Sequence, residues 1–241
     1  MKKIIILLLL LYIPANIFAK DITLMLSEFP PYIEGNKGLA IDILNEIFKG
    51  ADYTVKTEKV PLSRAIYRIK RKINTCAPIQ RSQERETLFK WVGPILITQT
   101  ALFSRSDDPI KIDVLKDAFN YKIMVARGSA DADYLKGFGA KIEIANNDDY
   151  NSKKLKRKRL RLWAADIIIA SYYAKKNDLK IKKQLSISTT LVPLAFNINT
   201  PDSIINHLNE QLNKMYKDGT IKKFYDKYRK RLNIEEAFYF L

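Results

Sequence analysis

Between Asp21 and Lys230 the chain alternates short apolar, strand-like runs with amphipathic, helix-like runs, in two successive sets. That alternation is the strongest constraint on what the chain can fold into. It predicts an α/β architecture of mainly parallel strands covered by helices. The first set holds a buried strand at residues 22–26, ahead of the turn Pro30-Pro31. A helix carrying Leu39, Ile43 and Ile47 follows between Gly38 and Gly50, then an alternating strand at residues 53–58. Pro61 opens a helix through Lys72 with Leu62, Ala65, Ile66 and Ile69 on one face, and residues 95–103 form an apolar, β-branched stretch. Ser106-Asp107-Asp108-Pro109 then punctuates the chain.

The second set runs from a strand at residues 121–126 to a helix capped by Ser129, a strand at 141–145 and a basic helix at 152–163. A short buried strand at 166–169 and a helix at 171–177 complete it. A strand at 191–198 and helices at 201–216 and 220–230 close the pattern. Two sets joined by two crossings imply two lobes, residues 20–106 with 194–241 and residues 107–193. Ligands of open α/β sheets bind beyond the carboxyl ends of the strands, so the cleft between the lobes is the expected site.

Residues 1–19 have the layout of a secretory signal peptide: Lys2-Lys3, ten apolar residues from Ile4 to Ile13, the breaker Pro14 and a small residue at Ala19. Ten residues are too few to span a bilayer as a helix. The remainder is therefore expected to be exported. The formal charge of +16 asks for an anionic partner of some kind, and export argues against nucleic acid. One cysteine, Cys76, and one histidine, His207, leave no disulfide, thiolate zinc cluster or His-rich metal site. No cofactor and no metal are expected.

Four segments together carry a resemblance. They are Glu28-Phe29-Pro30-Pro31-Tyr32 with Gly38-Leu39-Ala40-Ile41-Asp42; Arg81-Ser82-Gln83-Glu84-Arg85-Glu86 leading to Trp91-Val92-Gly93-Pro94; Val125-Ala126-Arg127-Gly128-Ser129; and residues 209–228 around Lys217-Asp218-Gly219. In this order and spacing the chain resembles the periplasmic solute-binding proteins of family 3, receptors of polar amino acid ABC importers. The resemblance implies a two-lobed periplasmic binding protein-like fold (type II), each lobe a mainly parallel sheet flanked by helices. It also implies a monomer that binds a small molecule, an amino acid or similar anion, and docks on an inner-membrane ABC permease.

An amino acid brings a carboxylate and an ammonium, and both must be paired once out of water. By resemblance Arg85 takes the carboxylate as a bidentate partner, with Ser82 beside it; the alternative is a surface arginine paired with Glu84 or Glu86. Gly128 and Ser129 would present a helix N-terminus to the same carboxylate, unless Ser129 is only a cap. Asp166 falls where the family places the acid for the ammonium; a structural ion pair with a nearby arginine is the alternative. Tyr32 would cover the ligand or pack on the rim. Arg64 is a further candidate, and Gln80 lies in the stretch that usually donates to the carboxylate. That stretch departs from the family, because Pro78 has no N–H. The basic run from Lys153 to Arg161 reads as a solvated face. No catalysis is expected; a cleft enzyme of the cyclohexadienyl dehydratase type and a sensory binding protein for a chemoreceptor are the other readings.

Overall fold

A computed structural model describes residues 21–49, 53–127 and 129–232. The leader at residues 1–19, Gly50, Gly128 and the apolar tail beyond Leu232 lie outside the described residues. The strands are β1 (Ile22–Leu26), β2 (Val55–Lys59), β3 (Thr75–Pro78), β4 (Phe89–Arg105), β5 (Ile123–Ala126), β6 (Ile142–Ala145), β7 (Leu162–Asp166) and β8 (Ile181–Asn197). The helices are α1 (Leu39–Phe48), α2 (Leu62–Ile69), α3 (Ala130–Gly137), α4 (Asp148–Lys156), α5 (Ile167–Lys176), α6 (Asp202–Lys217) and α7 (Thr220–Leu232).

The strands form one sheet in the order β2-β1-β3-β8-β4-β7-β5-β6. Its flanks are parallel, as expected: β1 pairs with β2 and β3, and β5 with β6 and β7. Its centre is antiparallel, because β4 and β8 each run 17 residues and pass from one half to the other. The ends Phe89–Val92 and Leu194–Asn197 pair in the β1–β3 half, while Thr100–Phe103 pair with β7. Residues 100–105 thus already belong to the second half. The strands change partners near Leu96, opposite Val192. The pairing slips between Val92 and Leu96, where Gly93 faces Pro193.

Two further expectations change. The basic helix is shorter and earlier, ending at Lys156, and Trp163 sits in β7 with no exposed surface. Ile167-Ile168-Ile169 opens α5 instead of continuing a strand. The Asp166 carboxylate accepts from the N–H groups of Ile168 (2.9 Å) and Ile169 (3.0 Å), and this N-cap outweighs the β-propensity of three isoleucines. Strand β3 had no clear signal: it is four residues long and ends in proline.

Helices α1, α6 and α7 bury one apolar stripe each against the β1–β3 half, with Ile43, Ile47, Leu208, Leu212 and Tyr225 in a common core. Leu135 of α3 packs with Ile123 and Leu162 in a smaller core on the other half. Gly38 sets the entry of α1. Its φ is 131°, and a Cβ there would stand 2.1 Å from the Tyr32 carbonyl oxygen, which accepts from the Ala40 N–H at 3.0 Å. The Tyr32 loop is thereby pinned to the start of α1.

Candidate functional site

A cavity of about 230 Å³ lies between the two halves. Leu96 and Val192, where the strands change partners, lie along it. Phe29, Leu62, Ile79, Gln80 and Arg85 line it from one half; Arg127, Ser129, Asp131, Asp148 and Asp166 line it from the other. This is where the strand ends were expected to place it.

Arg85 stands in the 3-10 turn Gln83–Leu88 after β3. One Nη donates to the Gln80 carbonyl at 3.1 Å. The expected competitor Glu86 is taken by Arg81, whose Nε donates to it at 2.7 Å. Ser82 is the N-cap residue of that turn by position, makes no side-chain cap bond and does not line the cavity. The amides of Ile79 and Arg81 are bound to β8, on Pro193 (3.1 Å) and Leu191 (3.0 Å). With proline at position 78, this stretch cannot offer the family's row of amide donors.

Asp166 is 7% exposed at the end of β7. Its Oδ1 accepts from the two α5 amides and from the Tyr32 hydroxyl at 2.9 Å. Its Oδ2 is buried and has no partner among the described residues. Burial pushes the carboxyl up to about 7; the Ile169 amide, the Tyr32 hydroxyl and the Ile168 amide oppose that, and Asp131 adds to it. Arg161, one of the arginines of the ion-pair alternative, binds Asp108 instead (Nε to Oδ2, 3.1 Å).

Tyr32 differs from expectation. It has no exposed surface, stacks on Phe29 with ring centroids 5.3 Å apart, and reaches Asp166 from behind. Phe29, its neighbour in the same turn, lines the cavity instead, as does Tyr173 from the other half. Ser129 does not cap α3: its hydroxyl makes no cap bond and is buried without a partner among the described residues, on the cavity wall. Arg64 is exposed on α2 and does not line the cavity, whereas Leu62 does. Gly128 lies outside the described residues. The basic run behaves as a surface: Lys153 pairs with Asp149 (2.5 Å) and Lys154 with Glu143 (2.7 Å).

Asp131 and Asp148 drew no attention in the sequence. Asp131, in the first turn of α3, is 6% exposed and takes a hydrogen bond from Thr100; burial holds its carboxyl above the usual range. Asp148 opens α4 and accepts from the Trp163 indole (2.8 Å) and the Asn151 amide (3.3 Å). Burial pushes it up to about 6 against those two bonds, with Asp131 adding to the rise. Among the described residues no three acidic, histidine or cysteine side chains converge closely enough to hold a metal ion, and no helix is long and apolar enough to cross a membrane.

A search of curated proteins finds no match to the chain. Solved structures similar to it include three two-lobed proteins. A mutant of ArgBP from T. maritima is 18% identical, with a TM-score of 0.72 over 86% of this chain and 94% of that one. A histidine kinase sensor domain with similarity to periplasmic binding proteins is also 18% identical, with a TM-score of 0.77 over 88% and 97%. The ancestral amino acid-binding protein AncCDT-1, a precursor of cyclohexadienyl dehydratase, is 20% identical, with a TM-score of 0.72 over 86% and 94%. At these identities the likeness is one of fold: two lobes around a cleft. Residues 24–231 match the model of one sequence family from end to end of both halves, and the chain belongs to the bacterial extracellular solute-binding proteins, family 3.

Proposed function

We propose that this chain is a periplasmic receptor that captures an amino acid between its lobes and delivers it to an ABC importer in the inner membrane. The observation that carries the reading is that Arg85 and Asp166, from opposite halves, line one cavity, and that Asp166 keeps a buried carboxylate oxygen unpartnered. A guanidinium for the carboxylate and a carboxylate for the ammonium are the pair that a zwitterion needs in a desolvated cleft. The buried Ser129 hydroxyl adds a further polar group on the wall. Closure would bend β4 and β8 near Leu96 and Val192, with the ligand's differential affinity for the closed form supplying the bias. The Tyr32–Asp166 bond already spans the two halves, as does Tyr172 donating to Glu34 at 2.8 Å.

The test is a thermal-shift screen of the exported protein, purified from expression of the full chain, against the common amino acids. One or a few should raise Tm by linkage, and Arg85→Ala should remove the shift while the empty protein stays folded. A shift that survives Arg85→Ala takes Arg85 out of the site. One observation favours a second reading: carboxyls at about 6 and about 7 in a cleft can serve as general acids. Turnover of prephenate or arogenate, with no amino acid stabilising the protein, would establish that reading instead. A sensory role shares the same site and is separated by its partner, a receptor domain in place of a permease.

A further inference from the structure

The charge lining the cavity is the reverse of the charge on the chain. A protein of formal charge +16 lines its cleft with four carboxylates, Glu28, Asp131, Asp148 and Asp166, against two guanidiniums, Arg85 and Arg127. Glu28 and Arg127 are exposed, where water and salt screen them. Arg85 and Asp166 match the two ends of a zwitterion. Asp131 and Asp148 are left over.

Both are held by neutral donors only among the described residues: the Thr100 hydroxyl for Asp131, the Trp163 indole and the Asn151 amide for Asp148. Asp131 is buried and Asp148 partly so, and a carboxylate withdrawn from water without a counter-charge is costly. No metal ion can supply the charge, since no three such ligands converge among the described residues. An extended organic cation can. Asp131 also changes what α3 offers. It puts a negative charge in the helix's first turn, where an anion would otherwise be favoured, so a ligand carboxylate is directed to Arg85 and away from α3. Independently of the acidic pair, the unpartnered, buried Oδ2 of Asp166 on the same wall marks the cavity as built to receive a donor.

We propose that the ligand carries a second positive group and that Asp131 and Asp148 receive it, so that the cleft takes a basic amino acid in preference to a neutral or acidic one. This deepens the amino acid reading and rests on it for the role of Arg85. The ligand's α-ammonium meets Asp166, its carboxylate meets Arg85, and its distal cation meets the second acidic pair.

The experiment is calorimetric titration of the exported protein with L-arginine, L-lysine, L-glutamine, L-glutamate and putrescine. A basic amino acid should bind at least about tenfold more tightly than L-glutamine, the loss expected on removing a charged hydrogen-bonding group. Asp131→Asn and Asp148→Asn should each weaken the basic ligand by a similar factor and weaken L-glutamine by much less. Because neither variant leaves a buried charge, the empty proteins should melt no lower than the parent, which separates loss of site from loss of fold. Binding of L-glutamine or L-glutamate as tightly as the basic ligands, or indifference of the basic ligands to both variants, overturns the proposal and leaves the amino acid reading in place. Binding of putrescine without any amino acid keeps the second cationic subsite and removes the amino acid reading. No binding by any of the five overturns the inference.

Discussion

Asp108 and Asp166 are the same side chain in nearly the same degree of burial, 3% and 7% exposed, in two regions with opposite purposes. Asp108, at the turn after β4, faces Arg161 and Arg105, and those guanidiniums with the Ile110 amide hold its carboxyl down to about 2. Asp166, on the cleft wall, has amides and a phenol but no cation among the described residues, and burial lifts it to about 7. The difference is what distinguishes a finished structural ion pair from a site. One charge is satisfied by the fold; under the proposed function the other is left for the ligand.

The largest effect on stability should come from breaking the finished pair. Asp108→Ala leaves Arg161 without its partner, while Arg105 keeps Asp107, and should cost about 3 kcal/mol, short of a fully buried pair because Arg161 is partly solvated; urea melts measure it. The loss should also be reproduced in the parent by acid. A carboxyl held at about 2 contributes stability that is full above its unfolded value of about 4 and fades as pH falls toward 2.

Asp166→Asn should act in the opposite direction. In the folded protein the carboxyl holds its proton to about 7, so its penalty is absent below about pH 4, grows between 4 and 7, and is constant above. The empty variant should therefore be more stable than the parent at pH 8, with the gain gone at pH 4. It should also lose the ligand-induced rise in Tm. Equal stabilities at pH 8 would mean that the carboxylate has a partner in solution.

Tyr32→Phe removes one of the three donors to Asp166 and should cost about 1 kcal/mol in the empty protein, while the Asp166 titration moves further up. Arg85→Ala should be the mildest, within about 0.5 kcal/mol of the parent, since a half-exposed side chain loses only a bond to the Gln80 carbonyl. Its consequence is confined to binding.

Much of this was legible in the chain. The alternation of periods announced the α/β architecture, and the order of four motifs singled out Arg85 and Asp166, both of which line the cavity. What the sequence hid has specific causes. Asp131 and Asp148 look like ordinary first-turn helix acids, favoured there by the dipole whatever lies nearby. Only the packing of α3 and α4 against β5 and β7 turns them to the cavity. Tyr32 and Phe29 share a turn without a period, so nothing in the sequence says which ring faces in. Ile167-Ile168-Ile169 read as strand because propensity is a property of the residues, while the cap that overrides it depends on where the Asp166 oxygen lands.

The slip in pairing at Gly93 and Pro193 sits beside the cleft floor, so that under the proposed closure the second half would swing as a lever pivoted next to the cargo. Under that closure a small rotation would move Asp131 and Asp148 relative to Arg85. Side-chain bulk added at position 93, where a Cβ would stand 2.8 Å from Pro193, would then act as a brake, slowing capture and release alike without touching a single group that meets the ligand.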